Sequence, residues 1–273
     1  MYDPPALAYH DLNKTKEQNK EEPLKFQIPA PGGKWDMKRN AERGTKPSFV
    51  DNKHLNNWAI LDLANTQTGY IKQFVDKLYQ EGESIGYNVE FPLDGQFRAN
   101  PRNLAYVLEE FRKLCNILTE RASKAGPAMI VVISQGRNAL LYNGLKHEGD
   151  VVQRISTQVI QQKNVMVLKP ATLHNILLKI NSKLGGTNQT LHRSNTPHIL
   201  SSPVMIMGAD VTHASPDQKG TKPSIAAVVA SMDPRASQYE CQVRFQVTLH
   251  KKKFFLNDNK TIFISRNLNR TRR

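Results

Sequence analysis

Asp210 stands at the end of the apolar run "VMIMGADVTH" (204–213), with Thr212 and His213 directly after it. A carboxylate at the end of a core strand costs free energy unless it is paired, capped or holding a metal. Asp210 therefore reads either as a metal ligand waiting for partners or as a capped or solvated strand end. A second group is basic. Lys179 and Lys183 are four apart, so they project from one face of a helix. There they either complement the helix dipole or converge on an anion. Tyr142 and Lys146 repeat that spacing behind the Gly-containing loop of "SQGRNALLYNGLKHEGD". An aromatic face with an ammonium one turn away can read a terminal nucleotide. Equally, Tyr142 can be an ordinary half-buried tyrosine.

These side chains need a scaffold. From Trp58 onward, apolar runs alternate with helical periodicity. "WAILDL" is a strand candidate, and Ile71, Phe74, Val75 and Leu78 mark one helix face. "YNVEF" reads as a short strand and 102–124 as a longer helix with Leu104, Val107, Leu108 and Phe111 on one side. "AMIVVIS" (128–134) is an uninterrupted apolar strand, of the kind buried on both faces in a parallel sheet. A helix is expected around 145–162, a strand at 164–168, and a helix over 171–184 that stops at Gly185–Gly186. This alternation predicts a doubly wound α/β domain over 58–190, with its loops at the carboxyl ends of the strands as the ligand side. There the N–H groups opening the helix after "AMIVVIS" would face an anion. Residues 1–57 carry Pro and Gly and suggest an extended linker. Beyond 190, "PVMIMGADVT", "PSIAAVVASMD" and "YECQVRFQV" read as three consecutive strands of a second, β-led domain.

The net charge of +14 points to a polyanionic partner. It is unevenly spread: residues 247–273 hold eight Lys/Arg and one Asp, and 135–184 hold seven Lys/Arg and two acids. Two distant cysteines, Cys115 and Cys241, argue against a disulfide framework and a zinc site. No apolar run approaches membrane-spanning length, so the chain reads as intracellular, with no membrane partner.

"GADVTH…KPSIAAVVASMD" and "LLYNGLK…STQVIQQKNV…LLKINSKLGG" resemble the Mid domain and first PIWI segment of eukaryotic Argonaute proteins. "PPALAYHD" and "GGKWDMKRN" resemble the segment before Mid, so the resemblance covers residues 1 to about 246 and ends after Gln246. It implies a Rossmann-like Mid domain (58–190) with a parallel sheet, preceded by a linker segment (1–57). The first strands of an incomplete RNase H-like PIWI domain (191–246) would follow, then a divergent, disordered basic tail (247–273). The implied activity is anchoring the 5′-phosphorylated end of a small guide RNA in gene silencing. Target RNA and silencing-complex proteins are further partners, and the cytoplasm is the setting.

By resemblance, Tyr142 stacks on the first base, while Lys146, Gln158 and Lys183 bind the terminal phosphate. Lys179 bridges to a later phosphate, and Gln161 and Asn164 touch nearby backbone. The loop between Gly136 and Tyr142 is one residue longer than in many relatives and lacks their proline, which leaves the preferred first base open. Asp210 matches the first carboxylate of a site where Mg2+ ions assist phosphodiester cleavage. His213 is not one of that site's ligands. Without the other ligands, no ion is expected to bind tightly in this chain, and Asp210 stands as an orphan. A guide-binding module, a guide-directed RNA endonuclease completed by further PIWI sequence, and a non-functional fragment stay open as alternatives.

Overall fold

A computed structural model describes residues 5–27, 36–37, 43–95, 97–213, 223–246 and 262–264. They belong to two compact units, Met1–Thr196 and Pro197–Arg273.

In the first unit, the opening segment folds rather than running as a linker. β1 (Ala6–Asp11) leads through α1 (Lys16–Glu21) to β2 (Leu24–Gln27), and β3 (Pro47–Ser48) follows. β1 pairs antiparallel with both β2 and β3. α1 begins with a reciprocal cap. The Thr15 hydroxyl accepts from the Gln18 N–H, and the Gln18 side chain accepts from the Thr15 N–H at 2.8 Å. Leu7, Tyr9, Leu24 and Phe26 are buried, and the Tyr9 and Phe26 rings meet edge to face at 5.7 Å. The expected linker over 1–57 is thus corrected. Pro5 and Pro23 directly precede β1 and β2 and Pro47 opens β3, and most of "PAPGGKWDMKRN" lies outside the described residues.

The main sheet follows in chain order: β4 (Asn57–Asp62), α2 (Thr68–Ser84), β5 (Phe97–Arg98), α3 (Leu104–Ala125), β6 (Ala128–Ser134), α4 (Ala139–Lys146) and β7 (Ser156–Gln161). After it come α5 (Gln162–Val167), α6 (Pro170–Lys183) and β8 (Thr190–Leu191), which pairs with β1. Three parallel pairings join four of these strands into a sheet in the order β5-β4-β6-β7. Strand side chains alternate between faces, and the core divides accordingly. Trp58, Ile60, Met129, Val131 and Ile133 pack with the apolar stripes of α2 and α6. Ala59, Leu61, Ile130 and Val132 pack with Val107, Phe111 and Leu114 of α3 and with Leu141 and Leu145 of α4. Fully buried Leu177 of α6 illustrates the stakes, since its truncation to alanine should cost about 2–5 kcal/mol.

Local expectations are corrected between 87 and 168. "YNVEF" contributes one isolated bridge, Leu55 to Val89, rather than a strand. The helix expected around 145–162 ends early. α4 continues as a π-helical segment, His147–Gln153, and stops where Arg154 turns left-handed at φ 56°. Residues 156–161 are then strand, and the expected strand at 164–168 is mostly α5.

In the second unit, β9 (Met207–Thr212), β10 (Ser224–Ser231), β11 (Tyr239–Gln246) and β12 (Ile262–Ile264) pair antiparallel in the order β12-β11-β10-β9. The β10–β11 turn is fixed by Asp233, whose carboxylate accepts from the N–H groups of Ser237 (2.8 Å) and Gln238 (2.7 Å). The remainder of 247–273, including its expected disorder, lies outside the described residues.

Candidate functional site

Leu141 and Leu145 sink α4 into the core on the α3 side of the sheet, which leaves Tyr142 and Lys146 on an adjoining face. The Asn138 side chain caps the helix start by accepting from the Leu141 N–H at 3.1 Å. Lys146 lies in the last turn, beside edge strand β7. On the other side of the sheet, Leu173, Ile176, Leu177 and Ile180 anchor α6 and bring Lys183, in its last turn, to the same strand. The Ser156 hydroxyl ties the two elements by donating to the Lys183 carbonyl at 3.1 Å.

The two lysines meet on Thr157. Lys146 Nζ donates to Thr157 Oγ1 at 3.0 Å, and Lys183 Nζ donates to the Thr157 carbonyl at 2.6 Å. Lys183 Nζ also donates to Gln158 Oε1 at 2.8 Å, and the Gln158 amide donates to the Val159 carbonyl at 2.9 Å. Thr157 and Gln158 are themselves buried, so the ammonium groups rest on a fixed polar floor. One carboxylate joins them: Asp150 Oδ2 lies 2.7 Å from Lys146 Nζ. Asp150 rides on the π-helical segment, which is pinned by buried Glu148. Arg112 donates to both Glu148 oxygens at 2.7 and 2.9 Å, and Gln153 adds a third hydrogen bond. The Arg112 bond, above all, holds the Glu148 carboxyl below its ordinary range.

The structure thus brings together Lys146, Gln158 and Lys183. Tyr142 sits one helical turn from Lys146 with a half-exposed ring. Lys179 is exposed on α6, one turn before Lys183. Gln161 ends β7, and Asn164 lies in α5, both half-buried. Gln158 belongs to a strand, not to the helix expected there. The lysines gather at the carboxyl end of α4, about 12 Å of helix away from its N-terminus. The lysine cluster thus lies at the opposite end of α4 from the N-terminus where an anion was expected. Thr157 and Asp150 were missed by sequence reasoning. Asp150 had a signal, its i+4 spacing from Lys146, while Thr157 had none beyond preceding Gln158.

Asp210 is exposed on edge strand β9, opposite Ala227 in the register, and its Oδ1 accepts the adjacent Val211 N–H at 2.9 Å. β9 borders the sheet and its six residues are exposed, so Asp210 is a solvated strand end, as the alternative to a metal ligand had it. Among the described residues no three His, Cys, Asp or Glu side chains come together, so they do not fit a site for two divalent cations. Nor is any described helix long and apolar enough to cross a membrane.

The Piwi-domain family model matches residues 128–266, just over half of the chain. That match runs past Gln246, so the family pattern does not end there, and β12 lies inside it. The C-terminal lobe of a budding yeast Argonaute is similar in fold, with TM-score 0.65 and 19% identity over 90% of this chain and 49% of that one. Kluyveromyces polysporus Argonaute, solved with a guide RNA, gives 0.65 and 21% over 90% of this chain and 27% of its own. The Mid–PIWI domains of an N. crassa Argonaute give 0.51 and 19% over 72% and 54%. The chain therefore spans about half, or less, of the length of these solved chains. With a Rossmann-like parallel sheet followed by antiparallel strands of RNase H-like type, and with that family match, the chain belongs to the Piwi-domain family and has the Mid–PIWI fold of Argonaute proteins.

Proposed function

We propose that this chain binds a small guide RNA in RNA-mediated silencing and anchors its 5′-phosphorylated end. In this reading Lys146, Gln158 and Lys183 hold the terminal phosphate, and Tyr142 stacks on the first base. Lys179, Gln161 and Asn164 follow the backbone, with target RNA and silencing-complex proteins as further partners in the cytoplasm. The observation that carries the reading is the convergence of Lys146 and Lys183 on Thr157, at 3.0 and 2.6 Å. Asp150 already meets Lys146, but an anion carrying more than one charge gains from both ammonium groups at once. A terminal phosphate carries about −1.5 to −2 charges at neutral pH, more than an internal phosphodiester. The pair therefore favours a phosphorylated end over a hydroxyl end.

The test is titration of the chain with a labelled single-stranded RNA carrying either a 5′-phosphate or a 5′-hydroxyl. The phosphorylated strand should bind at least roughly tenfold more tightly, as loss of one charge-assisted contact implies. Equal affinities would overturn the proposal.

A further inference from the structure

We propose a second nucleotide-binding site, at the carboxyl ends of β4, β5 and β6, which takes one nucleotide unit by its phosphate and its base. The cleft there has a volume of about 600 Å³, and Asn65, Arg98, Asn100, Arg102, Tyr106 and Gln135 line it. This size falls within the roughly 300–1,000 Å³ of small-molecule sites. Topology places it well. β4 has β5 on one side and β6 on the other, while α2 covers one face of the sheet and α3 the other. The connections leaving β4 and β6 diverge at this point, which opens a crevice at the ligand-binding end of a parallel sheet.

The charge in the cleft is positive. Asp62 is buried and turned into its own loop, accepting from Ala64 N (3.0 Å), Thr66 N (2.7 Å) and Thr66 Oγ1 (3.0 Å). Arg98 is set in place by the Thr66 carbonyl (2.7 Å) and Asn65 Oδ1 (3.2 Å), and its Nε lies 3.7 Å from Asp62 Oδ2 without a hydrogen bond. Arg102 is exposed beside the start of the 22-residue α3, whose first turn holds no acid. The Asn103 cap serves the Tyr106 N–H, and the Leu104 and Ala105 N–H groups have no acceptor within the helix. Arg102 and this helix start suit a phosphate. The Tyr106 ring, 42% exposed, suits a base, and the amides of Asn100 and Gln135 suit its edge.

The lysine cluster is a different place. None of its residues lines the cleft. Thr157 and Gln158 pair with Ile130 and Val131, three to four residues before Ser134 ends β6, or roughly 10–13 Å along the strand.

The test uses the full chain carrying Lys146→Ala and Lys183→Ala, which removes the lysine cluster, titrated calorimetrically with adenosine 5′-monophosphate. Saturable one-to-one binding should remain. It should weaken roughly tenfold or more with Arg102→Glu and roughly fivefold or more with Tyr106→Ala, both exposed positions whose variants are checked for unchanged melting. A 5′-hydroxyl tetra-adenylate run in parallel identifies the source. Tighter binding of the tetranucleotide assigns the site to a passing strand, and tighter binding of the monophosphate assigns it to a free nucleotide. Absence of saturable binding by either probe, or binding that both Arg102→Glu and Tyr106→Ala leave unchanged, overturns the proposal. If the guide-end reading alone fails, the parent and lysine-free chains bind alike while the Arg102 dependence persists.

Discussion

Replacing Lys183 with alanine tests whether the two ammonium groups act on one phosphate. The side chain donates to the Thr157 carbonyl at 2.6 Å and to Gln158 Oε1 at 2.8 Å, so its charge is held in place before any ligand arrives. At about 4 Å and an effective dielectric near 20, each unit charge on the phosphate gains about 4 kcal/mol from it. Dehydration of both ions offsets much of that. A charge-assisted hydrogen bond retains about 1.5–3 kcal/mol net, which is a roughly 10- to 150-fold change in Kd. The variant also strips partners from buried Thr157 and Gln158, at a cost of about 1–3 kcal/mol in folding stability. Binding is therefore measured well below the melting transition of both proteins. The assay is anisotropy titration with 5′-phosphorylated and 5′-hydroxyl versions of one RNA. Lys183→Ala should weaken the phosphorylated strand by that factor and the hydroxyl strand by less than about threefold. Equal weakening of both strands would refute a contact specific to the terminal phosphate.

Asp150→Asn should tighten binding of the phosphorylated strand by roughly two- to fivefold at low salt, because it removes the half-exposed carboxylate that occupies Lys146 at 2.7 Å; an unchanged or weaker Kd in the same titration would count against this. Alkylation of the native chain with iodoacetamide, read by mass spectrometry, should label Cys241 and spare Cys115, whose thiol is buried and pushed up to about 12. Folding lowers the Glu148 carboxyl below its ordinary 4.5, so its contribution to stability is present above that value and lost as pH falls through the lowered one. The stability gap between the parent chain and Arg112→Gln, from urea melts, should therefore be constant above about pH 5 and shrink toward pH 3.

Much of the scaffold was legible because burial on two faces writes itself as unbroken apolar sequence. "AMIVVIS" had to be a central strand, and the stripe of Leu173, Ile176, Leu177 and Ile180 had to be a helix packed on it. β7 was not legible, since an edge strand keeps polar residues such as Gln158 and Gln161. The break before it is made by Arg154, a left-handed residue with no glycine or proline to announce it. Leu168, left-handed at φ 54°, hides the end of α5 in the same way. In the opening segment, prolines outweighed a readable capping box, Thr15 to Gln18, and the alternation of Leu24 and Phe26. Of the candidate site, Lys183, Tyr142 and Lys146 stood out by their four-residue spacing, and Gln158 was named only through the resemblance. Their meeting point on Thr157 exists only once a helix from each face reaches the same strand.

The placement of Lys183 on the Thr157 carbonyl also bears on how the chain avoids its own kind. β7 is the last strand of the parallel sheet, and a bare strand edge is a template for another molecule's strand. A lysine amine seated on such an edge puts a charge where an incoming backbone would have to dock. The same side chain that is proposed to meet a phosphate thus also guards the strand edge. Neutralising it should remove that guard, and a chain altered at this position should self-associate at concentrations where the parent stays dispersed.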